Sequence, residues 1–236
     1  MLLPLKNIFI LTGAGISAES GIPTFRGENG LWKNYKIEDV ATPAAFNKNP
    51  RLVWEFYYER IDKILNAKPN NAHIALNRLV KAGENINIVT QNVDNLHEKA
   101  GSKNVIHMHG EIMQAVCPNC GAIYDAAKAD RPLPKCKKCD SMLRPNVVWF
   151  GEKPRFLEKI YKLLTNSSIF ISIGTSGVVY PASEFYIIAK ESGAKTIFLN
   201  IEDLHIRTDQ YFLGKAAVLL PHLVNKWIEH DGILFN

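Results

Sequence analysis

Apolar residues fall into short unbroken blocks along this chain, separated by stretches where they recur every three or four positions. The blocks are Ile8–Thr12, Ile86–Thr90, Val105–His107, Ile169–Gly174, Thr196–Asn200 and Val218–Leu220. Continuous apolar runs of this length suit strands covered on both faces, and helical stretches between them imply parallel crossovers. The pattern predicts an α/β fold built on a Rossmann-like, doubly wound parallel sheet. One helix is predicted from a cap at Asn71 through Val80, with Gly83 just past its end. Two more are predicted over Pro154–Leu164 and Pro181–Glu191, each with proline in a first turn where its missing N–H costs nothing.

Two insertions interrupt the alternation. The first, residues 36–70, reads as helical and carries Trp54, Phe56, Tyr57 and Tyr58; the second, residues 111–145, contains every cysteine. Each leaves and returns near a strand end, so the two are expected to pack together as a small lobe. Residues 1–35, 71–110 and 146–236 then form the Rossmann-type lobe, and the cleft between the lobes is the expected active site.

Composition narrows the class. Of 236 residues, 47% are hydrophobic and 22% charged, which marks an ordinary globular protein with room for one sizeable domain and an appended module. The net charge of +5 suits an anionic ligand but falls short of a dedicated nucleic-acid binder, so no specific nucleic acid is expected as a partner. No run approaches the roughly 20 apolar residues of a membrane span. The first residues, MLLPLKN, pass straight into a strand without an evident leader, and a cytoplasmic monomer is expected.

The four cysteines form two pairs, Cys117-x2-Cys120 and Cys136-x2-Cys139, with 15 residues between the pairs. Each pair makes a tight knuckle and two knuckles complete a tetrahedral thiolate cage, so the spacing predicts a zinc ribbon. Two disulfides are the alternative, disfavoured without a secretory leader. Four thiolates leave no open coordination position, so the metal is expected to be structural.

Candidate chemistry gathers at predicted strand ends. The first strand opens into Gly13-Ala14-Gly15-Ile16-Ser17-Ala18, the Gly-x-Gly-x-x-Ala form of a dinucleotide-binding turn. In that form Gly13 permits the turn, Gly15 lets the backbone approach a pyrophosphate and Ala18 allows a following helix to pack closely. A glycine-rich turn serving only the fold is the alternative, although the polar continuation through Ser20-Gly21-Ile22-Pro23 to Phe25-Arg26-Gly27 suggests a loop that covers a ligand. Gln91-Asn92-Val93-Asp94 follows Ile86–Thr90 directly, where α/β sheets bind ligands, and an Asn/Asp turn with a capping role stays open. His107 and His109 end another strand; a histidine facing a cleft serves as a general base near neutral pH, or is simply a satisfied structural residue. No acidic residue stands clearly at a strand end about 20 positions after the glycines, where a dehydrogenase would hold its ribose.

Taken together, GAGISAESGIPTFRG with Gly30-Leu31-Trp32, the Gln91–Asp94 stretch, His107-Met108-His109-Gly110, Gly174-Thr175-Ser176 and the cysteine pairs resemble the sirtuins. These are NAD-dependent protein-lysine deacylases, and the resemblance runs from about Gly13 to Ala216. It implies NAD as co-substrate, acylated protein lysine as partner, and His109 as the catalytic base, with His107 as supporting structure. In such enzymes the acyl oxygen attacks C1′ of the nicotinamide ribose and expels nicotinamide. The base then activates the ribose hydroxyl that attacks the acyl carbon, and the products are lysine, nicotinamide and O-acyl-ADP-ribose. The resemblance also implies NAD contacts at Gly13, Ala14, Gly15, Ser17, Ala18, Phe25, Arg26 and Trp32, and assigns Gln91 to ribose hydroxyls and Asn92, Val93 and Asp94 to the nicotinamide pocket. The adenosine half falls to Gly174, Thr175, Ser176, Asn200, Ile201 and Glu202, with Ala216 adding a late contact; Glu202 stands in for the missing ribose acid.

Substrate contacts are expected from two further segments. In Val147-Val148-Trp149-Phe150-Gly151-Glu152, consecutive large aromatics cannot both face one core along an alternating strand. The family uses Val148 to Glu152 to pair with the substrate backbone and line the acyl-lysine tunnel. Val53, Phe56, Tyr57, Arg60, Ile61 and Ile64 share one helical face, where an arginine is costly unless a carboxylate pairs with it. An internal Asp or Glu would satisfy it. Tyr57-x-x-Arg60 is also similar to the pair with which class III sirtuins hold acidic acyl groups, which implies desuccinylase and demalonylase activity beside deacetylation. An ADP-ribosyltransferase or NAD sensor using the same cleft, and a zinc-ribbon nucleic-acid module, are the competing functions.

Overall fold

The computed structural model describes residues 1–24, 31–32 and 35–235, with 31 and 32 described by their backbone alone. The chain starts with β1 (Leu2–Pro4) and β2 (Lys6–Thr12). The short pair β3 (Leu31–Trp32) and β4 (Tyr35–Lys36) leads into helices α1 (Ile37–Val40), α2 (Pro43–Lys48) and α3 (Pro50–Asn66). Helix α4 (Asn71–Ala82) returns to β5 (Glu84–Thr90), followed by α5 (Leu96–Lys99) and β6 (Ile106–His107). A second excursion comprises β7 (Gly110–Val116), β8 (Ile123–Asp125) and β9 (Arg144–Val147). Then come α6 (Leu157–Thr165), β10 (Ile169–Ile173), α7 (Phe185–Glu191), β11 (Lys195–Asn200), β12 (Gln210–Leu213), α8 (Ala216–Glu229) and β13 (Gly232–Leu234).

The main sheet has six parallel strands in the order β12-β11-β10-β2-β5-β6. The chain winds outward from β2 in one direction and from β10 in the other, so the topology switches between those two neighbours. Alternate side chains of β2 serve opposite cores. Ile8 and Ile10 pack with Leu76 and Leu79 of α4 and Leu220, Val224 and Trp227 of α8. Phe9 and Leu11 pack with Ile160 and Leu164 of α6 and Phe185 of α7. Each such side chain contributes roughly 1.5–3 kcal/mol of burial free energy. A third core joins the two insertions, setting Val53, Trp54, Phe56 and Ile61 of α3 against Ile112, Ala115, Cys117, Leu143 and Trp149.

Several predicted elements are placed differently. Val218–Leu220 is no strand: it lies in the first turns of α8, where Ala216, Leu220, Val224 and Trp227 are the buried residues at helical spacing. The sixth strand is β12, a four-residue edge strand, Gln-Tyr-Phe-Leu, in which no residue is fully buried and which is too short to stand out as an apolar block. Helix α4 is capped by Asn70, one residue before the expected cap, with its side chain accepting from Ala72 N–H at 2.9 Å. Helix α6 starts at Leu157 rather than Pro154, after Phe156 in a left-handed conformation. Pro181 precedes a 3₁₀ turn at Ala182–Glu184, and α7 begins only at Phe185. The glycine-rich turn leads into two 3₁₀ turns, Ala14–Ile16 and Ala18–Ser20, in place of the expected helix.

Candidate active site

The loops after β2 and β10 meet at the topological switch. Gly13 N–H donates to Ile173 O at 3.0 Å and Gly15 N–H to Gly174 O at 2.9 Å. A Cβ on Gly13 would lie 2.7 Å from Gly174 O, and one on Gly15 would lie 2.7 Å from Gly174 Cα. The glycines therefore let two loop backbones touch at the crevice. The Gly15 amide is thereby engaged by Gly174 O. Ala18 is exposed and opens a 3₁₀ turn, not the closely packed helix expected after the glycines. Phe25 and Arg26 lie outside the described residues, as does the side chain of Trp32.

Other strand ends share this carboxyl edge. Thr175 Oγ1 and Ser172 Oγ are 2.9 Å apart, and Asn200 Nδ2 donates to Thr175 O at 2.8 Å, tying the 174–176 loop to the end of β11. Asn200 Oδ1 accepts from Ile201 N–H, and Ile201 and Glu202 are exposed beyond it. Ala216 is buried at the start of α8, whose next amide, Ala217 N–H, donates to Glu19 Oε2 at 3.0 Å. Ser176 lies half-buried in the same loop.

Beneath the crevice lies a polar floor. Gln91 N–H extends the β2–β5 ladder to Thr12 O, and the next residues turn inward. Asn92 Nδ2 donates to Gly13 O at 3.1 Å and Ser17 Oγ at 3.3 Å. Asp94, 4% exposed, accepts from Ser17 Oγ–H and from Leu96 N–H, both at 3.0 Å. Burial raises its pKa despite these bonds. Ala14, Ser17, Asn92, Val93, Asp94, Arg60 and Ile112 line one cavity, and Val93 O also anchors Ile112 N–H of β7.

Two histidines that the sequence did not single out underpin this floor. His73 Nδ1 accepts from Asn70 N–H at 3.4 Å, so its proton sits on Nε2, 3.5 Å from Ser17 Oγ. His97 Nε2 lies 3.0 Å from Thr12 Oγ1, which donates to Thr90 Oγ1 at 2.8 Å, so His97 donates to Thr12. The rings are 5.1 Å apart, and both residues are entirely buried. Burial pushes His73 down to about 4 and His97 to about 3, so both are neutral.

His107 and His109 differ in kind. His107 Nδ1 faces Asn92 O at 3.1 Å and Nε2 faces Glu98 Oε1 at 3.0 Å. Both partners are acceptors, so the doubly protonated ring is the form that satisfies both contacts. Burial works to lower its pKa, but the Glu98 hydrogen bond and charge outweigh that and raise it. His109 Nδ1 donates to Gln91 O at 3.0 Å, which leaves the lone pair on Nε2. Burial lowers its pKa below the ordinary imidazole value, against the smaller pull of the Gln91 bond. His109 is thus an oriented imidazole with a free Nε2 lone pair and lowered basicity at a strand end, while His107 is braced between Asn92 O and Glu98 with raised basicity.

The small lobe closes the other side. The Sγ atoms of Cys117, Cys120, Cys136 and Cys139 lie within 4.8 Å of one another, two pairs being 3.5 Å apart. A tetrahedral zinc with bonds of about 2.3 Å separates its sulfurs by about 3.8 Å, so the set fits one structural zinc. Cys120 N–H and Lys138 N–H donate to Cys117 Sγ and Cys136 Sγ, the supporting bonds such a site uses. Beyond β9, Val148 N–H donates to His109 O at 2.8 Å, and Phe150 N–H to Ala41 O at 3.0 Å. Phe150 is 50% exposed, while Trp149 is buried with its Nε1–H donating to Tyr57 Oη at 2.9 Å. Glu152 is held by Arg144 in a bidentate pair at 2.6 and 2.8 Å and accepts from Trp149 N–H; Gly151 lies between, at φ +90°. Arg60 lines the cavity next to Asn92–Asp94 with its guanidinium over the Phe56 ring, and burial brings its pKa down to about 10. Tyr57 lies buried on the same helix, its pKa raised by burial.

A switch-point crevice flanked by a strand-end histidine and a four-cysteine ribbon is the arrangement of a ligand-binding α/β protein. Residues 13–181 match the Sir2 family, and the chain belongs to that family, the sirtuins. It is 50% identical over 226 residues to an NAD-dependent protein deacylase of Pyrococcus furiosus, covering 91% of this chain and 90% of that protein. It is 48% identical to the NAD-dependent protein deacylase of Vibrio vulnificus, covering 98% and 97%. Among solved structures, a Sir2 homologue in complex with NAD superposes with a TM-score of 0.89 at 43% identity, covering 95% of this chain and 90% of that one. A complex of Sir2 with a p53 peptide and NAD+ gives 0.81 at 34% identity, covering 93% and 92%. Among the described residues no helix is long and apolar enough to cross a membrane.

Proposed function

We propose that this protein removes acyl groups from protein lysines with NAD as co-substrate, and that succinyl and malonyl groups are among them beside acetyl. NAD supplies the ribose carbon that accepts the acyl oxygen and the ADP-ribose that carries the acyl group away, with one water completing the balance. His109 carries the reading. Its Nδ1–H is committed to Gln91 O, so Nε2 is the lone pair that takes a ribose hydroxyl proton, and lowered basicity keeps it unprotonated at neutral pH. Gln91 positions the ribose beside it. Asn92, Val93 and Asp94 line the nicotinamide pocket; each Asp94 oxygen keeps a further lone pair for a carboxamide N–H after its bonds to Ser17 and Leu96. Gly13, Ala14, Gly15 and Ser17 shape the crevice for the pyrophosphate, and the 174–176 and 200–202 loops with Ala216 hold the adenosine half.

The substrate peptide adds as a strand beside 148–152, with its acyl-lysine directed between the lobes. Tyr57 and Arg60 sit within electrostatic reach of each other on α3, and Arg60 lines the cavity, which supports a carboxylate at the end of the acyl chain. Mass spectrometry of succinyl-, malonyl- and acetyl-lysine peptides incubated with NAD tests the reading. Free lysine with nicotinamide and O-acyl-ADP-ribose is expected. Label passing from NAD to protein without deacylation would replace it with an ADP-ribosyltransferase.

A further inference from the structure

The segment after β9 contributes more than a wall. Trp149 reaches across the small lobe and donates its indole N–H to Tyr57 Oη at 2.9 Å, between residues 92 positions apart. Indole nitrogen only donates, whereas a phenol both accepts and donates. Once Tyr57 accepts from Trp149, its own proton is available to give away. Among the described residues Tyr57 Oη accepts from Trp149 and donates to none, and the Arg60 and Arg144 charges act on it, so its proton is placed to serve an anion. Tyr57 is 3% exposed, so it has no bulk water with which to exchange these roles.

Trp149 is itself held from several sides. The Arg144 guanidinium lies 3.6 Å over its ring, the Phe46 ring packs at 5.3 Å, and its backbone N–H donates to Glu152 Oε2 at 2.8 Å. The preceding residue, Val148, donates to His109 O. One short stretch of chain therefore ties both the backbone of the general base and the hydroxyl of the acyl-reading tyrosine.

We propose that Trp149 is a positioning residue for acyl selectivity, fixing the Tyr57 hydroxyl as a donor toward the carboxylate of an acidic acyl group. This rests on the reading of Tyr57 and Arg60 as the acyl-carboxylate site. Acetyl-lysine has no such carboxylate, so the effect is confined to acidic substrates. Because the contact is to a group remote from the reacting atoms, its loss appears in KM more than in kcat.

The experiment compares desuccinylation and deacetylation by the full-length, zinc-loaded protein carrying Trp149→Phe, Tyr57→Phe, or both. A parallel sample carries 3-benzothienylalanine at position 149, which replaces the indole N–H by sulfur, keeps the ring shape and covers a poorly folding phenylalanine variant. Loss of a hydrogen bond that orients a charge-binding donor is expected to raise the KM for succinyl-lysine about tenfold relative to that for acetyl-lysine. In the Tyr57→Phe background, removing the indole N–H should shift the succinyl-to-acetyl ratio no further. If Tyr57→Phe shifts the ratio and loss of the indole N–H does not, or if that loss acts fully in the Tyr57→Phe background, the positioning role is overturned while the carboxylate site stands. If neither Tyr57→Phe nor Arg60→Met shifts the ratio, the carboxylate site falls and the positioning role with it.

Discussion

The two lobes reach their geometry by different means. In the large lobe the reactive residues stand one to four positions beyond strands buried on both faces, and their places follow from the sheet. Loop backbones meet through glycines, and His109 is oriented by the carbonyl of Gln91 just past a neighbouring strand. In the small lobe the sheet is smaller, three antiparallel strands in the order β8-β7-β9, and packing between a helix and the ribbon sets the geometry. Helix α3 packs on the ribbon through a shared apolar core and through long-range hydrogen bonds such as Trp54 Nε1–H to Leu143 O at 2.9 Å and Trp149 Nε1–H to Tyr57 Oη, while four thiolates set for a metal close the ribbon on itself. A sheet fixes position generically, so it suits chemistry common to every acyl substrate. A metal-held lobe of idiosyncratic contacts can vary without disturbing that chemistry, so it suits acyl selection.

The division predicts opposite signatures. In the large lobe, His109→Ala should lower kcat/KM by about 10²–10⁴-fold for succinyl-, malonyl- and acetyl-lysine alike, because general-base loss is indifferent to the acyl tail. NAD binding, read by calorimetric titration, should survive, and His107→Ala should be milder. Near-normal turnover by His109→Ala would take the chemistry out of the large lobe.

Cys139→Ser should act on the small lobe first. The protein is expected to carry one zinc per chain by elemental analysis, and the variant little or none. Metal binding free energy is folding free energy at such sites, about 10–16 kcal/mol in isolated zinc-finger peptides. Amide exchange should then accelerate over residues 36–70 and 111–147 while Glu84–Thr90 and Ile169–Ile173 stay protected. Equal loss of protection in both lobes would show that they fold as one unit.

The same contrast governs what could be read from the sequence. The sheet was legible because its strands are continuous apolar runs, and the zinc ribbon because Cys-x2-Cys pairs have few other uses. Val218–Leu220 was misleading since a short apolar run fits a buried helix turn as well as a strand; the decisive spacing was Ala216, Leu220, Val224 and Trp227. Position alone did not separate His109 from His107; the family resemblance singled out the histidine directly before glycine, and its tautomer depends on Gln91 O, which only the β5–β6 pairing brings near. His73 and His97 gave no local signal: one opens a helix, the other follows Asp94 by three residues, and the fold alone puts their rings together. The Trp149–Tyr57 bond is equally silent, joining α3 to the segment just past β9, whose mutual approach no periodicity encodes.

Selectivity should respond to the small lobe at intermediate size. Arg60→Met is expected to depress desuccinylation about tenfold or more, since a charge-assisted bond is worth roughly 1.5–3 kcal/mol, and to leave deacetylation nearly unchanged. Equal loss on both substrates, measured as kcat/KM, would mean that Arg60 holds α3 in place over the Phe56 ring rather than reading the acyl chain.

The smallest expected effect belongs to the large lobe and leaves acyl choice alone. His73 and His97 are neutral in the folded protein, with pKa near 4 and 3, against about 6.5 in an unfolded chain. Over the interval between, the unfolded chain binds protons that the folded one refuses. Stability contributed by the pair therefore rises with pH across that window and levels off above about 6.5. His107 has the opposite sign: Glu98 raises its folded pKa, so its contribution is present at low pH and fades as pH climbs through that value. The wild-type melting profile sums both, and the difference between wild type and His97→Gln isolates the buried ring. The fall in melting temperature between about pH 7 and pH 5 should be shallower in the variant, where one refused proton is gone. Its succinyl-to-acetyl ratio should match wild type, because the ring supports Thr12 and the floor of the crevice rather than the acyl tunnel. A melting profile parallel to wild type would mean that His97 is not held neutral by burial. An altered acyl ratio would show that the large lobe takes part in selection after all.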